Sequence, residues 1–96
     1  MATLSTFTLN TSTATRIALA SSRSRRAWVR IQNDGPGDVR VGIGVSTITG
    51  SRGDLLGEGL GAYISNEDHA APATEAIWAI GVTGSAVVHI TEGGSL

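Results

Sequence analysis

Residues able to do chemistry are few in this sequence, and they are scattered. His69 stands in "NEDHAA" beside Asn66, Glu67 and Asp68. That mix of carboxylates, amide and imidazole could hold a divalent cation. Such runs are usually solvated loops, so no metal is assigned. His89 lies in "AVVHITE", on one strand face with Val87 and Thr91, and reads as a half-buried strand histidine. Gly42-Ile43-Gly44 is not continued into a dinucleotide fingerprint. A phosphate loop needs a lysine, and the chain has none. No Gly-x-Ser-x-Gly elbow occurs. The expectation is a protein that is not an enzyme, with no catalytic residue, metal or cofactor.

Charge is concentrated in "SRSRR". Arg23, Arg25 and Arg26 follow Arg16 by a few residues. Guanidinium groups bind carboxylates through a planar fork. These four arginines are therefore the candidate contacts to an acidic surface or to a neighbouring subunit. A second candidate is a ligand platform. Trp28 shares a strand face with Arg30 and Gln32. An exposed indole can stack on a sugar ring while polar neighbours bind hydroxyls. Trp78, within "AIWAI", is expected to be core. Arg52-Gly53-Asp54 spells a known adhesion tripeptide, and Asn10-Thr11-Ser12 spells a glycosylation acceptor. Both are short enough to arise as ordinary turn chemistry.

Length and composition bound the rest. The chain has 96 residues, enough for one domain with a modest core. It holds two Trp, one Tyr and one Phe, so Val, Ile, Leu and Ala must supply the burial. Thirteen glycines raise the entropic cost of ordering it. Surface buried against copies of itself or a partner would offset that cost. The absence of cysteine excludes disulfides and thiolate metal sites. A formal net charge of −1 gives no bulk attraction to nucleic acid or an anionic membrane. "MATLSTFTLNTSTATR" lacks the basic start and apolar run of a secretory signal.

The elements that must position these residues are strands. Helical periodicity is absent, and apolar residues alternate along "FTLN", "ATRIALA", "AWVRIQN", "VRVGIG" and "AVVHITE". "AIWAIGV" is apolar on both faces and reads as a central strand. "LLGEGLGAYISNED" reads as two short segments joined at Gly57-Glu58-Gly59. "HAAPATEA" reads as a linker, because Pro72 argues against a strand. "RIQNDGPGDVRVGIG" predicts a hairpin. Its register sets Ile31 opposite Val41, Val29 opposite Ile43 and Gln32 opposite Arg40, with the apolar set on one face.

"WVRIQNDGPGDVRVGIG", "LGEGLGAYI" and "AIWAIGVTGSAVVHITEGGSL" together resemble small all-β structural proteins of tailed bacteriophages. The family pattern is an "I-Q-N-x-G-P-G-D-V-x-V-G" hairpin, a "G-E-x-L" strand start and an "I-W-A-I-x-x-x-G-S-A-x-V-x-I-x-E" C-terminal hairpin. Gly57, Glu58 and Leu60 match the middle motif, without the proline that often precedes it. The resemblance covers Trp28 to Glu92, with a poor match between Ser46 and Leu56. It implies a virion component: a head decoration or cement protein, or a small domain of a fibre or neck.

The expected architecture is all-β: a single small β-sandwich or barrel, jelly-roll-like, of about seven or eight short antiparallel strands. Residues 1–24 are expected to form a polar Ser/Thr-rich arm with short strands, and 25–96 the sandwich core. The expected function is capsid decoration, with the major capsid protein or other virion proteins as partners. A homo-oligomer is expected, with no nucleic acid and no membrane, in a phage particle made in the bacterial cytoplasm. The alternative is a carbohydrate- or receptor-binding module of a fibre or tail.

Overall fold

The structure is a computed structural model that describes residues 2–18, 26, 28–65 and 75–93. Eight strands follow in chain order: β1 (Ala2–Thr8), β2 (Thr15–Ala18), β3 (Trp28–Asn33), β4 (Val39–Ile43), β5 (Asp54–Leu56), β6 (Gly61–Ser65), β7 (Ile77–Gly81) and β8 (Val87–Gly93). They form two four-stranded sheets, ordered β1-β8-β3-β6 and β2-β7-β4-β5. Every pairing is antiparallel. First pairs with last, second with second-last, and so inward to β4 with β5. That winding is a jelly roll, a double sheet built from Greek keys.

Alternation explains the sandwich. Along β3, Val29, Ile31 and Asn33 are buried while Arg30 is exposed. Val88 and Ile90 of β8 and Val39 and Val41 of β4 turn inward in the same way. With Leu9, Ile17, Leu56, Ile77 and Ala79 they form one core between the sheets. Strand β7 is central, as its two-sided apolar pattern predicts, lying between β2 and β4.

Strand pairing departs from the expected hairpin. β3 pairs with β6 and β8, and β4 with β5 and β7, so the two lie in opposite sheets. Their apolar faces look at each other across the core. A hairpin in one sheet and a crossover between sheets bury the same alternate residues, so periodicity fits both. Asn33 fixes the crossover. It is fully buried, its Nδ2 donates to the Gly37 and Leu56 carbonyls at 3.0 Å each, and its Oδ1 accepts from Gly35 N–H at 2.9 Å. The C-terminal pair β7 and β8, and the pair β5 and β6, likewise split between the sheets.

The division at residue 24 also changes meaning. β1 and β2 are an edge strand of each sheet, and Leu9 and Ile17 are 1% and 3% exposed. Residues 2–18 are thus part of the sandwich rather than an arm beside it. "HAAPAT" and "NEDH", with Pro72 and His69, lie outside the described residues.

The two outer faces differ. Over sheet β2-β7-β4-β5, the loop 44–53 folds back onto β4. A Cβ on Gly42 would lie 2.5 Å from the Val45 carbonyl oxygen and 2.7 Å from Ile48 Cγ2. Glycine is required there by close approach. Ile48, within that loop and packed onto β4, is 7% exposed. Among the described residues, no segment covers the outer face of the other sheet in this way.

Candidate docking surface

The outer face of sheet β1-β8-β3-β6 carries the proposed platform. Its side chains come in rows set by register. Trp28 stands beside Gly93, Arg30 beside Thr91, and Gln32 beside His89. Continuing onto β1, Thr91 faces Leu4 and His89 faces Thr6. Trp28 is half-buried and Arg30 exposed. Arg30 Nη2 points to Gln32 Oε1 at 3.5 Å, and Gln32 Nε2 donates to the Gly59 carbonyl at 3.0 Å. The structure therefore brings Trp28, Arg30 and Gln32 together on one face.

A polar chain absent from the sequence reading crosses the same face. Thr6 Oγ1 lies 3.0 Å from His89 Nδ1, and His89 Nε2 lies 3.4 Å from Asp34 Oδ2. The three residues are separated by up to 83 positions, so no local signal links them. His89 is half-buried, as the alternation predicts. Hydroxyl, imidazole and carboxylate in line can relay a proton. They sit on an open sheet surface, with Asp34 66% exposed. The chain of contacts ties β1, β8 and the loop after β3 together.

The four arginines do not form one surface. Arg16 is exposed on β2, with its guanidinium carbon 5.8 Å from the Trp78 ring centroid. Trp78 is half-buried on the outer face of its sheet, not core, because Arg16 and Gly42 are its register neighbours. Arg26 corrects the docking expectation. It is 3% exposed, its Nη1 pairs with Glu92 Oε2 at 3.2 Å, and its Nη2 donates to the Glu75 carbonyl. A guanidinium this buried holds segments of the fold together and is not presented to a partner. Arg23 and Arg25 lie outside the described residues.

The two short motifs resolve as turn chemistry. Asn10 Oδ1 accepts from Ser12 N–H, Ser12 Oγ and Thr13 N–H at 2.7–3.1 Å. Arg52 bridges Thr49 through paired main-chain bonds, Gly53 has φ +126°, and Asp54 opens β5. This loop roofs a cavity of about 300 Å³ lined by Val45, Ile48, Arg52 and Asp54 among others. A second cavity, about 180 Å³, opens between the sheets beside β5 and is lined by Ile31, Val41, Ile43, Leu55, Leu56 and Ala62. Neither involves Thr6, His89 or Asp34. Among the described residues, no group of three or more His, Asp or Glu is placed to hold a metal ion.

No protein-family model matches the chain. No curated protein matches it. A solved structure described as "Bacillus endospore appendages form a novel family of disulfide-linked pili" aligns over 99% of this chain and 87% of that one, with a TM-score of 0.52 and 15% identity. What the two share is the fold.

Proposed function

We propose that this chain is a structural subunit of a large particle, specifically a decoration or cement protein on the head of a tailed phage. One observation carries the proposal. A small jelly roll leaves one sheet face uncovered among the described residues, whereas its own loop 44–53 folds over β4 on the outside of the other sheet. A rigid sandwich whose described residues leave a sheet face open suits docking on a repeated surface. The motifs from Trp28 to Glu92 support the phage assignment through their resemblance to virion proteins. The pilus-forming neighbour supports a building role for this fold. Its pili are described as disulfide-linked, whereas this sequence has no cysteine, so contacts made by these residues are not disulfides.

On this reading the partner is the major capsid protein. The chain binds the assembled shell and not the free subunit, and so stabilises the shell by mass action, with many weak sites acting together. No catalysis, cofactor, nucleic acid or membrane is invoked. The protein is made in the bacterial cytoplasm and ends in the virion. The decisive measurement is its copy number per purified particle against the major capsid protein. Hundreds of copies support decoration. A handful moves it to a fibre, neck or tail, and absence overturns the virion reading.

A second reading is favoured by the grouping of Trp28, Arg30 and Gln32 on one face: a carbohydrate- or receptor-binding module of a fibre. Arg30→Ala should then abolish glycan capture on an array while leaving the fold intact. Equal capture by the variant sinks this alternative.

A further inference from the structure

The four sheet edges are not alike. Natural sheets protect their edges with short strands, charges, prolines or bulges. Sheet β2-β7-β4-β5 uses these devices. β5 is three residues long and begins with the exposed Asp54, and β2 is four residues long, carries Arg16 and is bulged between Arg16 and Ala18. Among the described residues the other sheet uses none. Its edges are β1, "ATLSTFT", and β6, "GAYIS". Neither contains a charge or a proline, and both pair without a break in register.

Register shows which main-chain groups are unused. Leu9 N–H donates to the Ala86 carbonyl, and the β1–β8 register continues that pairing. Hydrogen-bonded pairs alternate along an antiparallel ladder. Thr3, Ser5 and Phe7 therefore bond to β8, while Leu4, Thr6 and Thr8 turn N–H and C=O to the open side. On β6, Asn33 N–H donates to the Leu60 carbonyl. By the same alternation Ala62 and Ile64 bond to β3, and Gly61, Tyr63 and Ser65 turn outward. Among the described residues no strand takes up either open row. Leu4, on the β1 edge, is 67% exposed.

We infer that β1 of one copy pairs with β6 of the next, so that this sheet runs on through successive copies of the chain. Direction supports this partner over a β1–β1 pair. The four strands alternate in direction, so β6 runs opposite to β1. A second copy in the same orientation then meets β6 with an antiparallel β1, and the alternation continues. Each copy has one edge of each kind, which makes the contact head-to-tail, able to close as a ring or extend as a filament. Main-chain bonds supply the affinity, as in other strand additions. The inference rests on the reading of the chain as a repeating subunit, but not on which particle it belongs to.

The test uses the full chain alone. Light scattering after size exclusion, up to millimolar concentration, should show concentration-dependent multimers. Leu4→Pro and Tyr63→Pro each remove one outward N–H without cutting the chain's own ladder, a placement edge strands tolerate. Each variant alone should stay monomeric, with an unchanged circular dichroism spectrum. Mixed, they should form a dimer and stop there, because only one edge of each remains usable. Ser5→Pro, which cuts a β1–β8 bond, is the control that lowers thermal stability. A wild-type chain that stays monomeric at millimolar concentration overturns the inference. So does Leu4→Pro assembling like wild type, or a mixture that gains no dimer. Failure here leaves the virion copy number untouched, so the two proposals fall separately.

Discussion

Gly93 lies directly beneath the indole of Trp28. A Cβ on Gly93 would sit 2.6 Å from Trp28 Cε2 and Cζ2. The two residues are register partners on β8 and β3. The ring can therefore lie against the neighbouring backbone only because no side chain intervenes.

Gly93→Ala should lift the ring and cost about 1–3 kcal/mol, the usual range for overpacking a tight contact. Chemical denaturation measures the loss. Fluorescence of Trp28 in a Trp78→Phe background should shift to the red as the ring gains water. An unshifted spectrum with unchanged stability would show that the contact yields at no cost.

Arg26 and Arg16 should behave oppositely. Arg26→Ala leaves the Glu92 carboxylate and the Glu75 carbonyl without their guanidinium partner. Glu92 is 35% exposed, which tempers the loss. Roughly 2–4 kcal/mol of destabilisation is expected. Arg16→Ala removes an exposed cation–π contact and should cost about 1 kcal/mol or less. If shell binding is lost in Arg16→Ala while its melting temperature holds, Arg16 is a docking residue. In Arg26→Ala, binding should fall only as far as folding does.

Asn33→Ala deletes three side-chain hydrogen bonds to the backbone of the β3–β4 crossover and of β5. With buried partners left unsatisfied, a loss on the order of 3 kcal/mol follows. Asn33→Asp keeps the acceptor for Gly35 N–H but gives up both donated bonds and buries a carboxyl group. It should be no better than alanine at neutral pH in a urea titration. A near-wild-type aspartate variant would mean the two donated bonds contribute little.

Deletion of residues 2–12 should unfold the protein rather than merely detach it from a shell. It removes the whole of β1 and the buried Leu9, which donates to the Ala86 carbonyl. A cooperative thermal transition in the truncated chain would contradict this. Point changes such as Leu4→Pro are the cleaner probe of the same strand.

Strand identity was legible in the sequence because alternation is local. Val29 and Ile31, Val39 and Val41, and Val88 and Ile90 each declare an inward face within their own segment. Pairing was not legible, because partners are distant. Ile31 faces inward whether Val41 lies beside it or across the core. Asn33 ends the alternating "AWVRIQN" segment with no local mark of burial, whereas the structure buries it and gives its side chain three backbone partners. Trp28, Arg30 and Gln32 could be grouped because they share one strand. Thr6, His89 and Asp34 could not, since three separate segments supply them. Arg26 looked like its neighbours in "SRSRR", and burial alone sets it apart.

The winding of the sheets has a consequence for how the chain acquires its structure. Of all the ladders, only β4–β5 joins consecutive strands. Every other one waits for β6, β7 or β8. Contacts so far apart in sequence demand loop closure before they repay it, which places such folds among the slow ones, in the range of about milliseconds to seconds. During synthesis β1 emerges first, yet its partner β8 emerges last, so an uncharged strand with an open edge stays unpaired for the whole of that interval. Local concentration of nascent copies then becomes a hazard, because the edge that would join finished subunits is available before the subunits exist.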